Sequence, residues 1–415
     1  MTLENLKLDI EFVRSQFPAF QDPLSKDWSF FENAGGSYVP QNVIDKLSTF
    51  MTSTKVQPYA EYPMSKIAGN NMDKATKLFA DMINANQNEI IIGGSTSINL
   101  YVLSNALKHM INPGDEIIVT NQDHEANISP WRRLEEIGAK IVEWKFNLDS
   151  YELEISELEK LINDKTKILA VTHCSNIIGS INNLKQISDI AHKYNTIVIG
   201  DGVSYAPHGL PNVKELDVDF YTFSLYKTYG PHLALLYGKE EILKNLPNQN
   251  HEFLNGNYPY TINPGGPNHE ELVSLIGVYE YFDNLHNHHF NNSNDKILSK
   301  INKINNLISD HEEFLANPIL DYLDSRKDLK IIGKNKIMDK NRAPTISFIS
   351  KDKKSKDLSM GLVSNKIATR NDNFYAWRCL KHLGIDTEDG VVRLSMTHYN
   401  NEDDVEAVIR ALEKI

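Results

Sequence analysis

Lys227 stands where a lysine is hard to explain as surface charge. It follows Phe220-Tyr221-Thr222-Phe223, an aromatic and β-branched run with the composition of a buried strand. Gly230-Pro231 then stops any following helix, so the amine sits in a tight connection just past a strand end. Twenty-six residues upstream, Ile197-Val198-Ile199 runs into Gly200-Asp201-Gly202. An open α/β sheet delivers a carboxylate to its ligand edge in this way. Together the two groups suggest a pyridoxal phosphate site. The Lys227 amine would form a Schiff base with the cofactor aldehyde, and Asp201 would keep the pyridine nitrogen protonated so that the ring accepts electrons. For the lysine alone, a solvated charge is the rival reading.

Other residues fit the same chemistry. The apolar strand Glu89-Ile90-Ile91-Ile92 breaks at Gly93-Gly94, and Ser95-Thr96-Ser97 opens a helix running to His109. Free amides at such a helix start bind phosphate, which assigns Ser95 and Thr96 to the cofactor phosphate; simple N-capping by Ser95 is the alternative. Neither a Walker loop nor the dinucleotide Gly-x-Gly-x-x-Gly is present. His124 follows the strand Ile117–Thr120 and is open to three roles: core residue, metal ligand or ring stacked on a cofactor. No neighbour completes a metal set. Arg393, in Val391-Val392-Arg393-Leu394-Ser395, is a charge among apolar residues and needs a partner, either a substrate carboxylate or a structural ion pair. Ser224-x-x-Lys227 also matches an acyl-serine motif, but its Lys-Thr-Gly and Ser-Asp-Asn companions are absent. His286, His288 and His289 invite a metal, yet the following Asn run reads as a solvated loop, so no metal is expected.

The chain resembles the class V, fold-type I pyridoxal phosphate enzymes, in their cysteine desulfurase-like branch. The resemblance rests on Asp123-His124-Glu125-Ala126-Asn127, Thr172-His173-Cys174-Ser175-Asn176, Gly200-Asp201-Gly202, Ser224-Leu225-Tyr226-Lys227-Thr228-Tyr229-Gly230-Pro231 and Val392-Arg393-Leu394-Ser395, in the family's order from about residue 30 onward. It implies a large domain built on a mostly parallel seven-stranded sheet flanked by helices, and a smaller α+β C-terminal domain. It assigns Lys227, His124 and Asp201 to catalysis, with His124 stacked over the cofactor ring and helping with protons. Ser95, Thr96, Asn176, Ser204, Ser224 and Gly266 join them as cofactor-binding residues. Gly35, Gly36, Asn176 and Arg393 become substrate-binding. The loop Asn263-Pro264-Gly265-Gly266-Pro267 resembles one that crosses to a partner's phosphate, which implies a homodimer. Where the family has a threonine stands Gly266, leaving only backbone amides.

Three departures matter. Tyr375 falls at about the place of the sulfur-accepting cysteine, and Cys379 is four residues later. Tyr226 replaces the histidine that commonly precedes the lysine, and the supporting glutamine is replaced near Ser204. The cofactor site is thus expected intact and the persulfide step is not. The expected activity is on an L-amino acid, by C–S bond cleavage of cysteine or a related sulfur amino acid. Transamination and racemisation share its first intermediate. A non-catalytic protein on this fold is the remote alternative.

Composition bounds the rest. At 415 residues two domains are expected: residues 31–285 for the cofactor and 286–415 as the small domain, with 1–30 packing on the latter. A net charge of −12 argues against nucleic acid or an anionic membrane as partner. Met1 to Phe20 lacks the apolar core of a signal peptide, and no long apolar run occurs, so the expected location is the cytoplasm. Cys174 and Cys379 read as reduced, buried thiols. Periodicity predicts helices over 6–17, 41–54, 72–85, 129–137, 156–162, 184–194, 268–285 and 401–414, with an aromatic loop at 58–63 serving as lid or subunit contact. Strands alternating with these helices imply a parallel sheet with right-handed crossovers.

Overall fold

The structure, a computed structural model, describes residues 6–290 and 294–415. Its strands are β1 (Ser29–Phe30), β2 (Ile90–Gly93), β3 (Glu116–Thr120), β4 (Lys140–Trp144), β5 (Thr166–Thr172), β6 (Ile197–Asp201), β7 (Phe220–Ser224), β8 (Ala234–Gly238), β9 (Leu329–Ile332), β10 (Thr345–Ser350), β11 (Ile367–Ala368), β12 (Arg370–Asp372) and β13 (Val391–Ser395). Seven of them form one sheet in the order β2-β8-β7-β6-β5-β3-β4. Only β8 runs against its neighbours, because Leu225 to Leu233 folds it back on β7 as a hairpin closed by the Leu225 amide on the Leu233 carbonyl at 2.8 Å.

Burial on both faces explains why these strands read as near-continuous apolar runs. Along β6, Ile197 and Ile199 enter one helical layer while Val198 enters the other; along β7, Phe220 takes the first and Tyr221 and Phe223 the second. Each such side chain contributes about 1.5–3 kcal/mol by leaving water. Register then sets the site. Thr172 pairs with Asp201, and Asp201 with Thr222, so β5 and β6 end at one level, two residues short of the end of β7, and all three release their next residues over one edge. Gly202 is required there: a Cβ at that position would lie 2.0 Å from the Tyr221 hydroxyl, which is bonded to His173 at 2.7 Å.

A second, antiparallel sheet, β12-β13-β10-β9, packs with the helices Ile297–Ser325, Ser355–Ser364 and Glu402–Lys414. The N-terminal segment touches both this body and the rest of the chain, where Phe17 packs edge-on against Tyr229 and Tyr281. β1 pairs in parallel with β11, and Arg14 reaches Asp404 at 3.2 Å.

Three elements differ from expectation. The helix expected over 72–85 spans Pro63–Met82, started by a proline whose fixed φ suits the first turn; its polar Asn70-Asn71 interrupts the apolar period. The lead-in helix is only Ile10–Ser15, capped by the Asp9 carboxylate, which accepts from the Phe12 amide at 3.0 Å. The histidine run belongs to the helix His269–His289 and is not solvated loop. His286 is fully buried, 3.3 Å from Asp295, while the His289 ring accepts from the Asp9 amide at 2.8 Å and His288 lies 2.9 Å from its carboxylate. These rings fasten the N-terminal helix. Asn291 to Ser293, also part of the expected loop, lie outside the described residues. No helix among the described residues is long and apolar enough to cross a membrane.

Candidate active site

A cavity of about 460 Å³ opens over the carboxyl ends of β5, β6 and β7. Ser95, Thr96, His124, Asn176, Asp201, Ser204, Ser224 and Lys227 all line it, although they come from five separate stretches of chain.

Lys227 ends the short 3-10 turn Leu225–Lys227 and is buried, at 8% exposure. Burial first, and then the nearby Arg393 charge, bring its amine from 10.5 down to about 7; Asp201 opposes this. A lysine so placed is neutral for much of the time at neutral pH and is a competent nucleophile and base. Asp201 is also buried. Desolvation raises its carboxyl to about 6, against the Val203 amide, which donates to it at 2.9 Å, and the Lys227 charge. A carboxylate held at about 6 pairs readily with a protonated ring nitrogen.

At one end of the cavity the helix Thr96–Leu107 begins. The Ser95 hydroxyl caps it by accepting from the Ile98 amide at 3.2 Å, so capping and an anion seat coexist there. The Thr96 and Ser224 hydroxyls lie 2.9 Å apart and supply two further polar groups. These groups suit a phosphate, as the lysine and aspartate suit the aldehyde and ring nitrogen of pyridoxal phosphate. The donor set therefore fits the cofactor.

Arg393 does not line the cavity; behind the lining residue Asn176 it is 3% exposed, has no carboxylate at ion-pair distance among the described residues, and leaves its Nε buried and unbonded. Its Nη1 donates to the Asn176 carbonyl at 3.2 Å, and the guanidinium lies 3.6 Å from the Phe374 ring centre. Asn176 Nδ2 donates to the Phe374 carbonyl at 2.9 Å, and Asn176 Oδ1 is likewise buried without a partner. An unpaired buried guanidinium is costly unless an anion arrives. Gly36 borders the same region, against the Tyr226 ring, and Gly35 closes the turn Asn33–Gly35 beside Glu32.

His124 differs from its expected proton role. Its Nδ1 accepts from the Ala126 amide at 3.0 Å, so the ring proton is on Nε2. Burial, with the Lys227 and Arg393 charges, holds the ring's pKa down at about 3. It is a neutral, flat ring with no free lone pair for the substrate. Gly266 lies outside this cavity. It lines a different one, beside Tyr59 and Pro267, in a loop tied to β2 by Asn263 Nδ2 donating to the Ile92 carbonyl at 3.2 Å.

Four features escaped the sequence reading. Arg370 pairs across the strands with Arg393 and is neutralised by Glu32 at 2.6 Å. Phe374 separates the two guanidinium groups. Glu125 and Arg378 pair at 3.1 Å beside the cavity. Phe374 and Tyr375 both adopt left-handed φ, +50° and +59°, a conformation that costs about 1–3 kcal/mol per residue and clusters at functional sites. The Thr369-Arg370 stretch located Tyr375, but nothing in the residue types announced that backbone. Cys174 and Cys379 are both buried. Desolvation lifts the Cys174 thiol to about 12, with Sγ facing the Gly179 carbonyl at 3.5 Å, and lifts Cys379 higher still.

The α/β sheet with a lysine and an aspartate at adjoining strand ends defines the class, and residues 29–408 match the aminotransferase class-V family. The chain belongs to that family, whose enzymes depend on pyridoxal phosphate, and stands in its cysteine desulfurase-like branch. It is 34% identical to the aminotransferase-like protein FGM3 of Gibberella zeae over 100% of both chains. It is 30% identical to the cysteine desulfurase-like protein ustD of Aspergillus flavus, over 100% of this chain and 92% of that one. Among solved structures, the cysteine desulfurase of Thermococcus onnurineus superposes with a TM-score of 0.83 at 25% identity, covering 97% of each chain. CsdA, a cysteine desulfurase of Escherichia coli, gives 0.82 at 24% over 98% of each and shows the shared fold.

Proposed function

We propose that this protein binds pyridoxal 5'-phosphate on Lys227 and cleaves the C–S bond of L-cysteine or a related sulfur amino acid. The observation that carries the reading is a buried amine near neutrality in the same cavity as Asp201, with the unpaired Arg393 adjoining it. When bound, the cofactor supplies an electron sink for the pair left by the substrate's α-proton. Ser95, Thr96 and Ser224 would hold its phosphate, Asp201 its ring nitrogen, and His124 would lie against its ring. Arg393 binds the amino acid's carboxylate, aided by Asn176, and orients the Cα–H bond toward Lys227. Lys227, neutral above about 7, takes the α-proton on Nζ. His124 cannot share that task while its Nδ1 is occupied.

Purified protein supplied with pyridoxal phosphate is expected to show the visible band of the lysine-bound cofactor, to change spectrum with L-cysteine, and to release sulfide. A band indifferent to L-cysteine would end the substrate assignment, and absence of any band would end the cofactor assignment.

We also read the protein as a homodimer. Gly265 and Gly266 are exposed, have left-handed φ and lie outside the Lys227 cavity; the Gly266 amide donates to the Asn263 carbonyl at 3.2 Å and shapes the turn, which leaves the Gly265 amide to a second copy. Light scattering is expected to return twice the 47.2 kDa chain mass; a monomer at working concentration would refute this.

A further inference from the structure

Resting on that reading, we propose that Tyr375 is a catalytic acid: its phenol protonates the departing sulfur, so the products are sulfide, pyruvate and ammonia, with no sulfur held on the enzyme. Tyr375 stands on the rim of the same cavity as Lys227. Its ring stacks on His124, with centroids 5.3 Å apart and planes 27° apart.

The backbone is pinned in that place from both sheets. The Glu125 amide donates to the Tyr375 carbonyl at 2.8 Å, Asn176 Nδ2 holds the preceding carbonyl, and the Tyr375 amide donates to Asn373 Oδ1 at 3.0 Å. A strained left-handed pair kept by three such bonds holds its side chain deliberately. A loop tied this way is a fixed support, not a mobile carrier. At 67% exposure the residue also stays in contact with water, so a spent phenolate is reprotonated from solvent.

Comparison with its neighbours favours Tyr375 for the role. Cys379 is buried away from the cavity; Cys174 lines it, but its thiol donates to the Gly179 carbonyl at 3.5 Å and burial keeps it protonated, so neither supplies the thiolate that accepts sulfur. His124 is neutral with one nitrogen occupied. Lys227, once it has taken the α-proton, is an ammonium and the rival acid, and equal rates of Tyr375→Phe and wild type on L-cysteine would reveal it. Tyr226 also lines the cavity and is the rival phenol; its hydroxyl is engaged with Ser224, among the groups assigned to the phosphate.

The chemistry balances without an added oxidant or reductant. Lys227 takes the α-proton, and the pair left on Cα becomes the Cα–Cβ double bond as the Cβ–S bond breaks. Sulfur leaves with the bonding pair and takes the phenol proton. Water then hydrolyses the unsaturated amine, so one L-cysteine and one water give pyruvate, ammonia and hydrogen sulfide.

Leaving-group dependence tests this. Chloride needs no proton to depart, whereas a thiolate gains much from one, so holoenzyme is assayed for pyruvate with L-cysteine and with β-chloro-L-alanine. Tyr375→Phe keeps the ring and is expected to lose about 100-fold on L-cysteine and to stay within about threefold on β-chloro-L-alanine. Its spectral titration midpoint for L-cysteine is expected unchanged, and Tyr226→Phe is expected to show no such discrimination. Equal losses on both substrates, no loss on either, discrimination by Tyr226→Phe instead, or alanine as the wild-type product would each overturn the proposal. If the wild-type holoenzyme changes spectrum with neither amino acid, the broader substrate reading fails and takes this one with it.

Discussion

Lys227→Met is expected to abolish turnover, by at least about 1000-fold, while leaving a folded protein. The amine has two jobs in one cavity, covalent hold of the cofactor and acceptance of the α-proton, and methionine has neither lone pair nor charge. Loss of the visible band from lysine-bound cofactor should accompany the loss of rate. Stability separates this from misfolding. Lowering the lysine from 10.5 to about 7, by burial first and the Arg393 charge second, corresponds to a penalty of about 5 kcal/mol in the cofactor-free protein. The folded pKa is the depressed one for a base. The penalty is therefore full below about 7, shrinks as pH rises, and is gone by the unfolded value of 10.5. Cofactor-free Lys227→Met should accordingly be more stable than cofactor-free wild type at pH 7, with the advantage fading toward pH 10. A variant less stable than wild type at pH 7 would show that Lys227 is held for structure.

Much of this site was legible because it hangs on strand ends. Asp201 and Lys227 follow apolar runs long enough to be strands, and Ser95-Thr96 follows a glycine break, so residue type alone put carboxylate, amine and hydroxyls at one sheet edge. Register did the rest, by bringing the carboxyl ends of β5, β6 and β7 to one sheet edge. What stayed hidden depends on partners far along the chain. The His286 to His289 run looked solvated because its partners, Asp9 and Phe12, are nearly 280 residues away. His124 looked like a proton carrier because the Ala126 amide on its Nδ1 is a matter of backbone angle. Arg370 looked like an alignment landmark, and only β12 pairing on β13 sets it beside Arg393. Gly266 was read toward the cofactor phosphate, and in its own chain it lies beside Tyr59.

Arg393→Met is expected to weaken amino-acid binding by about 100-fold or more, because a carboxylate entering a desolvated cavity loses its charged fork. Arg393→Lys should not rescue it, since a point charge cannot reproduce a planar bidentate donor. The same substitution has an electrostatic signature that simple damage would lack. Arg393 is the largest charge effect lowering Lys227, second only to burial, so its removal lets the lysine rise above about 7. Capture of free pyridoxal phosphate needs the neutral amine, so its rate rises with pH through the Lys227 pKa. In Arg393→Met that midpoint should move to higher pH, and capture at pH 7 should slow. The protein itself should not be weakened, because burial is the largest effect on the Arg393 charge and outweighs the attraction of Glu32 and Asp372. Weaker substrate binding with an unmoved capture midpoint would leave Arg393 as a binding group uncoupled from Lys227. A moved midpoint with unchanged substrate affinity would remove it from the carboxylate site and keep it as the tuner of the lysine. Both changes together, in a protein that melts no earlier than wild type, are what one buried guanidinium serving both ends of the reaction requires.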